Sequence, residues 1–118
     1  MLENAEEYQK IFSLEETHWW YRSLHEQTLD SIQKHFPEKN ISILDAGCGT
    51  GGLLKKLADS GYTNTKGTDF SEIAIEFAKQ KVTAPLLRSD LREYFIKTQE
   101  EKYDVIILND VLYFFSPE

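Results

Sequence analysis

Residues 43–54 read ILDAGCGTGGLL. An apolar run ends in Asp45, glycines follow at Gly47, Gly49, Gly51 and Gly52, and an apolar helical pattern begins at Leu53. That order predicts a strand, a tight glycine turn and a helix N-terminus. Such a turn exposes backbone N–H groups at the positive end of a helix, where a ligand can approach closely. A parallel α/β sheet uses this edge, the C-terminal ends of its strands, for ligands.

The glycines alone leave the ligand open. Gly47, Gly49 and Gly52 satisfy GxGxxG, a dinucleotide pattern that is weak by itself. Gly47, Gly49 and Gly51 satisfy GxGxG, with Asp45 two residues before the first glycine. The carboxylate discriminates. It would repel a pyrophosphate at the mouth of the turn and attract a ligand carrying an ammonium and a sulfonium. The stretch DAGCGTG resembles the first motif, D/E-x-G-x-G-x-G, of the class I S-adenosylmethionine (SAM)-dependent methyltransferases.

The rest of the chain reads as an α/β alternation. Helices are expected over about 4–12 and 14–36, the second stopping at Pro37. Strands are expected at 41–44, 65–69, 85–88 and 103–108. Helices are expected over 53–60, with Leu53, Leu54, Leu57 and Ala58 inward and Gly61 as its stop, and from a Ser71 cap to about Val82. Residues 91–98 read as a short helix or irregular chain, and VIIL at 105–108 as a strand buried on both faces. This predicts a Rossmann-like parallel sheet of about four strands with flanking helices. Residues 1–40 form a helical cap segment and 41–118 the core. The resemblance implies a strand order of 3-2-1-4 and a seven-stranded family core, of which this chain holds about the first half. Truncation is the expected reason, with a natural half-domain as the alternative.

Asp69 closes the second expected strand, close to the roughly 20-residue spacing at which an acidic residue meets a ribose. Family resemblance gives GTDFS at 67–71 the same role, with Phe70 either against the adenine or in ordinary packing. It also implies that Asp90 accepts from the adenine amino group and that the Leu91 N–H meets a ring nitrogen. Asn109, after the fourth strand, falls where the family contacts the methionine portion, while Asp110 reads equally as a cap. Cys48 joins the cofactor-binding set as a small residue in the turn rather than a reactive thiol. EETHWWYRSLH at 15–25 resembles an N-terminal helix of one branch of the family. In that branch Trp20 and Arg22 are candidates to close over the methionine end, and aromatic packing with a surface arginine is the plain alternative. Tyr113 and Phe114 stand where many relatives carry a histidine, so no general base is assigned. His18, His25 and His35 form no metal set with Cys48 or the carboxylates.

Composition narrows the rest. The net charge of −7 and the absence of a basic cluster disfavour nucleic acid and anionic membranes. One cysteine excludes an internal disulfide and suits a cytoplasmic setting. The N-terminus lacks a signal peptide's apolar core, and no apolar run reaches membrane-spanning length. The expected function is methyl transfer from S-adenosylmethionine to an unidentified acceptor. One alternative is a SAM-binding module that needs a partner or further chain, and a weaker one is an NAD-dependent oxidoreductase fragment. Self-association is expected through an open fourth-strand edge or through Tyr113, Phe114 and Phe115.

Overall fold

A computed structural model describes residues 5–89, 103–108 and 111–114. Its elements in chain order are α1 (Ala5–Leu14), α2 (Trp19–His35), β1 (Ile43–Ala46), α3 (Gly52–Asp59) and β2 (Thr65–Asp69). Then come α4 (Glu72–Lys79), β3 (Leu86–Arg88), β4 (Val105–Leu108) and β5 (Val111–Phe114). The sheet order is β3-β2-β1-β4-β5. β3, β2, β1 and β4 are mutually parallel, as the α/β alternation predicts.

β5 is the addition. It pairs antiparallel with β4, from Val105 opposite Phe114 to Leu108 opposite Val111. The open β4 edge expected to recruit another chain is therefore filled by the same chain, and association through that edge loses its premise. β4 also differs in burial. Val105 and Ile107 are fully buried, but Ile106 and Leu108 are half-buried against Leu44 and Ala46. The alternation shows that one face of β4 is covered more completely than the other.

The main core joins α2, α3 and the sheet. Leu29, Ile32 and Phe36 pack with Ile43, Leu53, Leu57, Val105 and Ile107. Three residues of the N-terminal segment thus belong to the same core as the strands. Tyr62 closes its end, fully buried, its hydroxyl donating to the Phe36 carbonyl at 2.6 Å. A second cluster, Cys48, Leu54 and Ile75 with Val82 and Leu86, seats α4 beside α3. In α3 the inner positions are Leu53, Leu54 and Leu57, and Ala58 is exposed, contrary to its expected inward place.

The helix ends follow local chemistry. α3 stops where Gly61 (φ 99°) donates to Ala58 and Tyr62 donates to Leu57, a Schellman closure that needs a left-handed residue. Ser71 caps α4, its hydroxyl accepting from the Ala74 N–H at 3.2 Å. The largest local correction is at 14–18, expected inside one long helix. Instead α2 starts at Trp19, because His18 leaves helical geometry and its Nδ1 accepts from the Trp20 N–H. The freed turn lets Glu15 point inward.

Candidate functional site at the strand ends

The glycine turn lies at the C-terminal end of β1. The N–H groups of Gly47 and Cys48 both donate to the Thr68 carbonyl, at 2.7 and 2.9 Å, tying the turn to β2. Gly47, Gly49 and Gly51 all have positive φ, at 99°, 55° and 91°. Their surroundings differ. A Cβ on Gly51 would meet Ala78 at 3.2 Å, whereas a Cβ on Gly49 would have nothing within 4 Å. At Gly49 the backbone faces open space and a ligand can come close.

Asp69 sits beside that opening, 9% exposed. One carboxylate oxygen accepts from the Gly49 N–H at 3.0 Å and the other from the Ser71 N–H at 2.9 Å. It joins the glycine turn to the start of α4. An ionised carboxylate has about four acceptor positions, so two bonds leave capacity for hydroxyl donors. Phe70 follows, 42% exposed, its carbonyl accepting from Arg88 Nε at 3.0 Å. The β3 end is tied in by the Ser89 N–H, which donates to the Asp69 carbonyl at 2.9 Å.

Among the described residues, three carboxylates surround the turn. Asp45 is buried at the end of β1, Asp69 closes β2, and Glu15 reaches in from the chain after α1. Their field is felt at Cys48. Its thiol is held well above the ordinary range, first by burial and then by the charges of Asp45 and Asp69, with Glu15 adding to them. The thiol is therefore protonated at neutral pH and inert, matching its reading as a small packing residue.

Glu15 was not singled out from the sequence. It is 5% exposed, and its Oε1 accepts from Thr50 Oγ1 and from Lys81 Nζ, both at 2.6 Å. Lys81 Nζ also donates to the Phe12 carbonyl and lies 4.3 Å from the centre of the Phe12 ring. A Cβ on Gly52 would overlap the Glu15 carboxylate. The third glycine of GxGxxG thus makes room for a side chain of the protein. The missed signal was a pairing across 66 residues, which local periodicity does not carry.

Trp20 and Arg22 lie on the first turn of α2. Trp20 is 50% exposed and packs edge-on against Tyr21. Arg22 lines a cleft with Glu16, Gly52, Lys55 and Asp59. That cleft follows α3, and neither Gly49 nor Asp69 lines it. Lys55 bridges Glu16 at 2.9 Å and Asp59 at 3.3 Å, which holds the Glu16 carboxyl below its ordinary range. The structure brings Asp45, Gly47, Cys48, Gly49, Gly51, Asp69 and Phe70 together, and Arg22 shares its cleft with Gly52, one residue beyond Gly51. Asp90, Leu91 and Asn109 lie outside the described residues, as does Phe115. Among the described residues no group of three or more histidine, cysteine or acidic side chains could hold a metal, and no helix is long and apolar enough to cross a membrane.

A glycine turn ringed by carboxylates at this sheet edge can be set beside known proteins. A family model described as a methyltransferase domain matches residues 43–118. The chain belongs to the methyltransferase-domain family. It is 34% identical over 102 residues to a malonyl-[acyl-carrier protein] O-methyltransferase of Priestia megaterium, covering 80% of this chain and 35% of that protein. The plantazolicin methyltransferase BpumL, solved in complex with a desmethylPZN analogue and SAH, superposes with a TM-score of 0.62 at 28% identity. That match covers 79% of this chain and 37% of BpumL. Magnesium protoporphyrin IX methyltransferase of Synechocystis PCC 6803, solved with bound SAM, gives a TM-score of 0.54 at 30% identity over 73% of this chain and 44% of its own. The methyltransferase chain spans about a third of the length of two of its curated relatives and a quarter or less of others.

Proposed function

We propose that this chain carries the S-adenosylmethionine site of a methyltransferase that acts on an acceptor still to be identified. One observation carries the reading: the Asp69 carboxylate, with acceptor capacity to spare, stands beside Gly49, a turn glycine whose missing side chain faces open space. Adjacent strand ends place a ribose-binding carboxylate and a close-approach backbone together. The Asp45 charge favours the ammonium and sulfonium of the donor and opposes a pyrophosphate, which disfavours the oxidoreductase alternative. The relatives solved with SAM or SAH support the same choice.

When bound, the donor supplies an electrophilic methyl group on sulfur. The chain's own residues bind and orient. Asp69 accepts from the ribose hydroxyls, and Phe70 offers an exposed ring to the adenine. The turn from Gly47 to Gly51 lets the methionine portion lie against backbone. By their places in the sequence, Asp90 and Leu91 follow β3 to meet the adenine edge, and Asn109 follows β4 to meet the methionine portion. Catalysis of this kind rests on alignment of donor and nucleophile. Residues 1–40 serve as a cap on the same unit, with Trp20 and Arg22 as its contributions toward the methionine end. A donor-binding module that acts together with further chain or a partner is the second reading, favoured by the fraction of its relatives that the chain spans.

Isothermal titration calorimetry with S-adenosylhomocysteine and with NAD tests the proposal. Binding of S-adenosylhomocysteine with no heat from NAD is expected. Binding of NAD alone would refute it.

A further inference from the structure

We propose that Glu15 is a positioning residue of the donor site, through which docking of the N-terminal helical segment and occupancy of the donor site are coupled. The inference rests on the donor-site reading above. It concerns a side of the glycine turn that the donor does not touch.

The turn is held from two sides. On the open side the Gly49 N–H donates to Asp69 at 3.0 Å. On the closed side Thr50, 1% exposed, donates its hydroxyl to Glu15 at 2.6 Å. Thr50 lies between two glycines with positive φ, Gly49 at 55° and Gly51 at 91°. Glycine backbone is the most freely rotating backbone, so beyond the backbone bonds of Gly47, Cys48 and Gly51 this stretch depends on these two side-chain restraints for its shape.

Glu15 also belongs to a second set of contacts. Lys81, just beyond α4, pairs with it at 2.6 Å, and the two side chains are 4% and 6% exposed. The same ammonium bonds the Phe12 carbonyl in α1, while the Phe12 ring packs on Phe77 of α4 at 5.3 Å. A buried ion pair contributes little when complete, but removing one partner strands a charge. Glu15 therefore docks fully or not at all, and docking brings α1 with it. Gly52 keeps the required space, since a Cβ there would overlap the carboxylate. On helix propensity alone alanine would be preferred over glycine within α3.

A donor that fixes Gly49 and Asp69 thus stabilises the turn geometry in which Thr50 meets Glu15. By linkage, docked Glu15 must raise donor affinity by the same factor. Arg22 and Trp20 follow Glu15 by a few residues, so docking also sets where α2 begins.

The test combines hydrogen exchange of the α1 amides with S-adenosylhomocysteine titration. It uses the 118-residue chain and its Thr50→Val, Thr50→Ser and Gly52→Ala variants. In the wild type the ligand is expected to slow exchange across residues 5–14. Thr50→Val keeps the shape and loses the donor, so it should abolish the slowing and weaken binding about tenfold, as expected for a hydrogen bond to a charged group. Thr50→Ser should restore both. Gly52→Ala should evict Glu15 from the other side and reproduce the Thr50→Val result, which keeps the test decisive if Thr50→Val fails to fold. Ligand binding that leaves α1 exchange unchanged, or equal affinity in wild type and folded Thr50→Val or Gly52→Ala, overturns the coupling alone. A wild type that binds no S-adenosylhomocysteine overturns the donor-site reading and the coupling together.

Discussion

Asp69 does two jobs with one carboxylate. Its bonds to the N–H groups of Gly49 and Ser71 hold the site's shape, and under the proposed function its remaining acceptor positions take the ribose hydroxyls. Asp69→Ala should therefore lower both stability and affinity. Loss of two hydrogen bonds to a charged group should cost about 3–6 kcal/mol in urea denaturation, and S-adenosylhomocysteine binding should weaken as well in the folded fraction. Unchanged urea midpoints would remove its structural role. Cys48 supplies a pH test. Its folded thiol is raised by burial and by neighbouring carboxylates. An unfolded thiol ionises at about pH 8.5. The contribution of Cys48 to stability is thus complete below that pH, and it is lost as pH rises from there toward the folded value, because only the unfolded state releases the proton. Between pH 7 and 9.5 the wild type should lose more stability than Cys48→Ala, and its thiol should react slowly with a disulfide reagent until denatured. Equal reactivity of folded and unfolded protein would contradict this.

At the scale of elements, the glycines of one turn have separable duties. Gly51→Ala meets both a left-handed backbone and the Ala78 side chain, so its main effect should be on stability. Gly49→Ala meets only the backbone preference, a cost of about 1–2 kcal/mol, while its methyl enters the open space. Its affinity loss should exceed its stability loss, and the reverse order should hold for Gly51→Ala. Paired urea and calorimetric titrations of the two variants check this, and a shared pattern would count against the placement of the open side. The strand, turn and helix around Asp45 were legible from sequence because each signal is local: an apolar run, glycines at fixed offsets, a renewed helical pattern. Ser71 was legible for the same reason, as a cap directly before an apolar helix. Glu15 was not. In the sequence it looks like a residue inside a continuous helix, and only the distant Lys81 and Thr50 pull it inward. Ala58 misled because it follows the buried Leu57 on the outer side of the last turn of α3. The third GxGxxG glycine misled in kind: the pattern suggests a ligand, but the space belongs to a carboxylate of the chain.

For the whole molecule, four parallel strands in the expected order carry the site, and β5 closes the edge of β4. The predicted open edge failed because β4 is paired antiparallel with the chain's own next strand. Amides of residues 105–108 should be protected from exchange at every protein concentration, and sedimentation equilibrium should give a concentration-independent monomer mass. Protection that appears only on self-association would restore the open-edge picture.

The central claim is that the donor binds at the ends of β1 and β2, over Gly49 and Asp69. Amide shift mapping on the isotopically labelled chain during titration with S-adenosylhomocysteine tests it most directly. The account predicts the largest shifts at residues 47–51 and 69–71, including the Gly49 N–H that now bonds Asp69. Shifts confined to the cleft of Arg22, Lys55 and Asp59, with Gly49 and Asp69 unmoved, would contradict it.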